Sequence, residues 1–394
     1  MNLLMETSLP LRAIAAVLAT VFALTLGAAE LGASPKAQPI RVGAVFSETG
    51  GLGSIGSPGL AGMRLAAAQI NADGGVLGRR VKLVAADSRS RPAAVARAVR
   101  RLIGRDHVVA LGGLNDSTLA LAAGPVAQRA GIPFVTSGAT LPNLPRRIGS
   151  AFFMAAFGDD AQAHAVADLA RTDLRARSAF LLVDRGSDFT RALARFFRQR
   201  FVARGGTVSG RLSYAPGERN FASAIARIRA LRPQPDVLFF SALPSEAGRL
   251  VRQARAAGLT QPILSGDGFD TPLVGREAGA LADGVYYSTH VALDRKAAPV
   301  RRFVASYRKR YGRAPKSAFA ALGYDTMRLL ADAIRRAGST DPGAIRRALA
   351  ATRGFPMVTG RISYAPGRRI PVKPVTIVRI ENGRPAFYST VAPG

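Results

Sequence analysis

The feature that most constrains this chain is an alternation of short β-rich runs with helical patterns, which begins at Ile40 and is played through twice. Strands separated by helices do not form hairpins. They pair in parallel, and the helices cover both faces of the sheet. In the first round, 41–46 reads as a buried strand. Ser57-Pro58 then reads as the N-cap and first position of a helix, with Leu60, Met63, Ala67 and Ile70 recurring at helical spacing until Asp73-Gly74-Gly75. Strand 81–86, helix 92–103, strand 108–111, helix 117–130 and strand 132–135 follow. The second round runs helix 161–170, strand 179–183, helix 191–203, strand 208–212, helix 221–231, strand 237–240, helix 247–257 and strand 262–264. Past a strand near 284–287 come long helices at 300–311 and 318–336, and a third opened by Asp341 as cap with Pro342 at its first position. Short strands at 361–364, 375–380 and 385–388 close the chain, with Asn382-Gly383 as a hairpin turn. Two doubly wound α/β units suit 394 residues, which exceed one ordinary core.

Composition narrows the function classes. Apolar residues at 48% and charged residues at 20% describe a folded globular chain. With no Cys, disulfides, thiolate metal sites and cysteine nucleophiles are excluded. His107, His164 and His290 lie far apart in sequence, and no G-x-S-x-G elbow is present. No metal, no cofactor and no enzymatic activity is expected. A formal charge of +30 would suit a nucleic-acid partner, but the arginines fall on every predicted helix instead of forming one basic helix or tail. That spread reads as solvated faces, and no nucleic-acid partner is expected.

The N-terminus has the form of an export signal. After Arg12, residues 13–26 are apolar in the main, and the small residues Gly27, Ala28 and Ala29 follow. Fourteen residues are short for a membrane span, and no cysteine follows for a lipid anchor. Residues 1–33 are expected to be a cleaved signal peptide, leaving a soluble mature protein in the periplasm.

Gly51-Leu52-Gly53-Ser54-Ile55-Gly56 matches G-x-G-x-x-G between a strand and a helix. Its spacing contradicts dinucleotide binding. Residues 47–50 intervene after the strand, and Asp87, the acid ending the second strand, lies 31 residues beyond Gly56 instead of about 20. A glycine-rich loop that lets the backbone approach another element or a ligand is the other reading.

In open α/β sheets, ligands sit beyond the carboxyl ends of the strands. Residues 47–56, Asp87, 115–118 and 137–140 follow the first-round strands; 184–189, 241–243 and 267–269 follow those of the second. Hydroxyls and free helix N-termini dominate the first set, which suits a carboxylate: Ser117 offers a hydroxyl and a backbone N–H, and Thr140 another hydroxyl. Asp267 is a candidate acceptor for an ammonium or hydroxyl group. Each also has a plainer role: Ser117 as an N-cap, Thr140 as a turn cap before Pro142, Asp267 in an Asx-turn, Phe189 as a core residue.

From Ile40 to the C-terminus the chain resembles the type I periplasmic binding proteins of ABC importers, specifically the leucine/isoleucine/valine-binding family. The resemblance rests on IRVGAVFSETG at 40–50, AQINADGGVLG at 68–78 with 81–87, AGIPFVTSGAT at 130–140, VRQARAAG at 251–258 and Gly323-Tyr324-Asp325. It implies two Rossmann-like, doubly wound α/β lobes joined by a three-segment hinge: 38–156 with 288–355 as lobe 1, and 157–287 with 356–394 as lobe 2. It also implies that the ligand carboxylate meets Asn115, Ser117, Gly138, Ala139 and Thr140. The ammonium meets Asp267, and Phe189 closes over the ligand, with Ile55, Leu243 and Phe269 completing the pocket. Asp116 is a rival for Ser117, because the alignment slips there by one residue. Ile55 and Leu243 stand where amino-acid binders often have tyrosines, so the pocket is drier.

The expected protein is therefore a monomeric solute-binding protein that closes on a small carboxylate-bearing ligand, an amino acid or amide, and delivers it to ABC permease subunits. The alternatives are a periplasmic sensor for a membrane receptor, or a binder of aromatic or aliphatic carboxylates.

Overall fold

In the computed structural model, which describes Met1 and residues 38–392, the first sheet is built from β1 (Ile40–Phe46), β2 (Val81–Asp87), β3 (Ala110–Gly113), β4 (Phe134–Thr136) and β5 (Phe152–Met154). These strands are parallel throughout, in the order β2-β1-β3-β4-β5. The second sheet repeats that order with β6 (Ser178–Asp184), β7 (Thr207–Tyr214), β8 (Val237–Ser241), β9 (Ile263–Ser265) and β10 (Val285–Thr289), arranged β7-β6-β8-β9-β10. Two antiparallel strands, β13 (Val375–Glu381) and β14 (Arg384–Val391), extend it beyond β10. The short pair β11 (Phe355–Met357) and β12 (Gly360–Ile362) stands apart. The expected signal peptide lies outside the described residues, Met1 aside. Among the described residues, no helix is long and apolar enough to cross a membrane.

Each sheet is buried on both faces, as parallel construction requires. In β1, Val42, Ala44 and Phe46 enter one cluster while Val45 enters another. In β6, Phe180 and Leu182 face one cluster, and Ala179, Leu181 and Val183 the other. The long helix Phe319–Ala337 packs on the Gly53–Ala72 helix, and Met327, Leu330 and Ile334 join the core of the first lobe. Close approach is enforced by glycine: a Cβ on Gly62 would lie 1.8 Å from the Ala320 carbonyl oxygen, and one on Gly323 1.9 Å from that of Gly59.

The chain passes between the lobes three times: between β5 and the Asp159–Thr172 helix, between β10 and the Ala298–Tyr311 helix, and on the way into β13. The third passage comes later than the 355/356 boundary read from sequence. Met357, Val358, Ile362 and Tyr364 pack in the first-lobe core, and the Arg369 carbonyl accepts from Met154 N at 2.9 Å along the edge of β5. These apolar side chains hold the segment on lobe 1 until about residue 370.

The first helix also differs from its expected start. It begins at Gly53, so Ser57 is not its N-cap and Pro58 lies inside it. Gly50, at φ +84°, accepts from Gly53 N and turns the chain into the helix early; Ser57 Oγ donates to the Glu48 carbonyl. The glycine-rich segment is therefore a packed turn. A Cβ on Gly56 would sit 1.9 Å from the Ser47 carbonyl oxygen.

Candidate functional site

Both lobes have their change of winding direction at the first strand, between β1 and β3 in one and between β6 and β8 in the other, and a ligand cleft belongs at such points. The loops leaving these strands meet across the interlobe space. Ile55, Asn115, Asp116, Ser117, Gly138 and Thr140 line it from lobe 1, with Leu52 and Phe319; Phe189, Leu243, Pro244, Asp267 and Gly268 line it from lobe 2.

On the lobe 1 side the Ser117–Arg129 helix starts at the cleft, and its N-cap is Asp116, whose Oδ1 accepts from Leu119 N at 2.9 Å. Ser117 is thus the first helical residue instead of the cap. Its Oγ accepts from Leu141 N at 3.1 Å, which leaves the hydroxyl proton available to an acceptor. Asn115 donates from Nδ2 to the Ile55 carbonyl at 2.9 Å, while its buried Oδ1 has no partner. Gly138 is required by space: a Cβ there would lie 2.6 Å from the Phe319 ring.

On the lobe 2 side Asp267 opens a short 3-10 turn, Asp267–Phe269, after β9. It sits in a buried polar network. Its Oδ1 accepts from Gln162 Nε2 at 3.2 Å, its backbone N–H donates to Gln162 Oε1 at 3.0 Å, and its Oδ2 lies 3.0 Å from His290 Nε2. Gln162 Nε2 also donates to Asp159 Oδ1, and Ser288 Oγ donates to Gln162 Oε1, which fixes the amide's orientation. His290 stacks on Phe157 with ring centroids 4.2 Å apart, and its Nδ1 is unpartnered. Burial lowers the His290 pKa, against the raising effect of the Asp267 carboxylate, so the ring is neutral and Nε2–H points at Asp267. Phe189 begins the Asp188–Ala203 helix, and its N–H donates to the N-cap Ser187 Oγ at 3.2 Å.

Two expected residues lie elsewhere. Phe269 is fully buried and turns to the other side of the 3-10 turn, into the core with Phe240 and Val274. Ala139 is packed among the apolar residues behind the cleft. Gln162, His290 and Asp159 were missed. Of these only His290 carried a signal, since it directly follows the carboxyl end of β10.

The electrostatics are one-sided. Asp116 and Asp267 line the cleft, Asp159 stands behind it, and no Lys or Arg is among the described lining residues. Burial pushes Asp116 up to about 6, helped by Asp188 and Asp184 and opposed by the Leu119 and Thr118 N–H groups. Asp159 is raised as well, by burial and then by the Asp267 charge. A site of this kind favours a ligand that brings positive charge. The lobes are shut on one another, so that the cleft encloses only about 10 Å³. Across its lips, the Thr118 hydroxyl accepts from Asp188 N at 3.1 Å and lies 3.3 Å from Asp188 Oδ2, and Thr271 Oγ1 meets Ser54 Oγ at 3.0 Å.

Comparison with known proteins agrees with this architecture. A family profile described as "Periplasmic binding protein" matches residues 39–385. An "Amino acid binding protein" of Pseudomonas aeruginosa is 30% identical over 307 residues, covering 77% of this chain and 80% of the relative. "Leu/Ile/Val-binding protein homolog 3" of Brucella melitensis is 26% identical, covering 87% and 91% respectively. Among solved structures, the branched-chain amino acid transporter substrate-binding protein LivJ of Streptococcus pneumoniae, in complex with isoleucine, superposes with a TM-score of 0.84 at 29% identity, covering 90% of this chain and 99% of that one. The leucine-binding protein LivK of Thermotoga maritima gives 0.84 at 30% identity with the same coverage. These relatives are substrate-binding proteins, not enzymes. The chain belongs to the type I periplasmic binding proteins of the branched-chain amino acid class, the extracytoplasmic solute-binding components of ABC transporters.

Proposed function

We propose that this protein captures a free amino acid with an apolar side chain between its lobes and presents the closed complex to an ABC permease. The observation that carries this reading is the acidic cleft: with Asp116 and Asp267 in its lining and no basic side chain opposite, a bare carboxylate would be repelled. A zwitterion offers its ammonium to Asp267 and its carboxylate to the Ser117 and Thr140 hydroxyls and nearby N–H groups. Ile55, Leu243 and Phe189 give the cleft an apolar wall for the side chain to pack against once the lobes part to admit it. The LivJ complex with isoleucine and the amino-acid-binding relatives support the same class.

A second reading is a simple aromatic or aliphatic carboxylate, favoured by that apolar lining. A solute-binding protein of the same fold from Rhodopseudomonas palustris was solved with benzoate. A thermal-shift and calorimetric panel of leucine, isoleucine, valine, phenylalanine, benzoate and short-chain acids decides between them. A ligand at 100 times its Kd adds about 2.7 kcal/mol of stability. Shifts by amino acids alone are expected; shifts by simple acids alone would overturn the assignment. Co-purification of the liganded protein with a permease, and not with a membrane receptor, is the expected outcome for delivery.

A further inference from the structure

A cavity far larger than the cleft lies elsewhere in the molecule. It encloses about 740 Å³ on the far side of the Asp267–Phe269 turn, bounded by that turn, by the ends of β10, β13 and β14, and by the 314–318 segment of lobe 1. This volume is within the range of small-molecule sites. Its interior is apolar, with Phe269, Val274, Val291 and Val378 among its walls. Tyr287, only 2% exposed as a residue, is also in its wall and brings a hydroxyl to it. Asp270 is already engaged: Thr289 Oγ1 and Ala318 N donate to its Oδ2, and Ser317 Oγ donates to its carbonyl. The mouth carries three exposed cations, Arg276, Lys316 and Arg384. It holds one exposed acid, Asp294, whose Oδ2 accepts from Phe387 N.

We propose that this cavity is a second ligand site, for a small anionic amphiphile whose apolar body fills the space, whose acceptor atom meets the Tyr287 hydroxyl, and whose anionic group sits among Arg276, Lys316 and Arg384. The site lies outside the interlobe cleft.

The test uses 1-anilinonaphthalene-8-sulfonate as the fluorescent probe, with decanoate as competitor. The expected result is saturable binding of one probe per protein that decanoate displaces and leucine does not. Lys316→Glu/Arg384→Glu, both at exposed positions, should weaken the probe at least tenfold. The charge-matched control Arg97→Glu/Arg100→Glu, on the distant Pro92–Gly104 helix, should leave it within twofold. Ala386→Trp, which fills the cavity from its edge, should abolish binding, and Tyr287→Phe should weaken it several-fold. Displacement by leucine would place the probe in the cleft and overturn the proposal. Equal losses in the rim and control variants would overturn it as well, by showing attraction to the basic surface alone. Because the probe is read directly, a failure of the amino-acid panel leaves this result unaffected, and the reverse also holds.

Discussion

Replacing Asp267 by Asn separates what the carboxylate does for a ligand from what it does for the fold. In the wild-type site Asp267 accepts from two fixed donors, Gln162 Nε2 at 3.2 Å and His290 Nε2 at 3.0 Å. Gln162 cannot turn over, because its Oε1 already accepts from Asp267 N and Ser288 Oγ. The Asn amide therefore keeps its oxygen toward Gln162 and its NH₂ toward His290, which must change tautomer and carry its proton on Nδ1. That nitrogen has no partner, so the variant loses about 1–3 kcal/mol of stability, the cost of one unsatisfied buried donor. The cost falls equally on free and liganded protein and cancels from binding. What remains is the charged hydrogen bond to a ligand ammonium, about 1.5–3 kcal/mol, which is a rise in Kd of about 10- to 150-fold. Calorimetry at pH 7 with leucine and with 4-methylpentanoate, its analogue lacking the ammonium, reads the difference. Leucine should lose that factor while the analogue binds the same or better, because a repelling charge is gone. Equal losses for the two ligands would refute the assigned role and leave Asp267 as a fold residue of the hinge network.

Three further outcomes are expected. Ser117→Ala removes the acceptor for Leu141 N, so it should cost about 1–3 kcal/mol in urea unfolding and weaken every carboxylate ligand; unchanged affinity would move the anion contact to Thr140 or to backbone N–H groups. Gly56→Ala should cost about 3 kcal/mol or more, since its Cβ would meet the Ser47 carbonyl at 1.9 Å, whereas Gly53→Ala, with 3.1 Å to the Glu48 oxygen, should be mild. Burial holds Asp270 at about 6 against 3.8, so the folded state keeps a proton that the unfolded chain has lost between pH 4 and 6, and stability falls as pH rises through that window. The effect is on the order of 3 kcal/mol, and denaturation of Asp270→Asn at pH 4, 5 and 6 should show a correspondingly flatter slope.

The alternation of strands and helices was legible because parallel strands buried on both faces read as apolar runs, and the lining was legible because ligand loops leave the carboxyl ends of such strands. Ile55, Ser117, Thr140, Phe189, Leu243 and Asp267 meet at one cleft for that reason. Phe269 was misplaced because the chain coils into a 3-10 turn after β9, which carries the residue two positions past Asp267 to the opposite side. The Asp267 network was invisible because its members are far apart in sequence: Gln162 sits 105 residues from Asp267, and they meet only where the hinge segments converge. The cap of the first helix was misread for a local reason. Ser57-Pro58 carries a strong start signal, yet the glycines before it let the helix begin a turn earlier.

The same convergence explains how a shut cleft can depend on its ligand. Among the described residues, few side-chain bonds join the lobes: Thr118 with Asp188 and Ser54 with Thr271 across the lips, and the Ser317 and Ala318 contacts with Asp270 behind them. Each contributes about 0.5–1.5 kcal/mol net. Against them stands the cost of burying acids in a dry space: burial raises Asp116 and Asp159, and the Asp267 charge adds to the effect on Asp159. On the proposed function, a ligand that binds the closed state more tightly than the open one shifts the balance by its differential affinity. An ammonium group facing Asp267 offsets that cost instead of only adding one more contact. The proposal thus separates closure from selectivity: Thr118→Val, which removes the contacts to Asp188 across the lips, should open the free protein in small-angle scattering while barely changing which ligands are preferred, and a change in ligand preference would refute the separation.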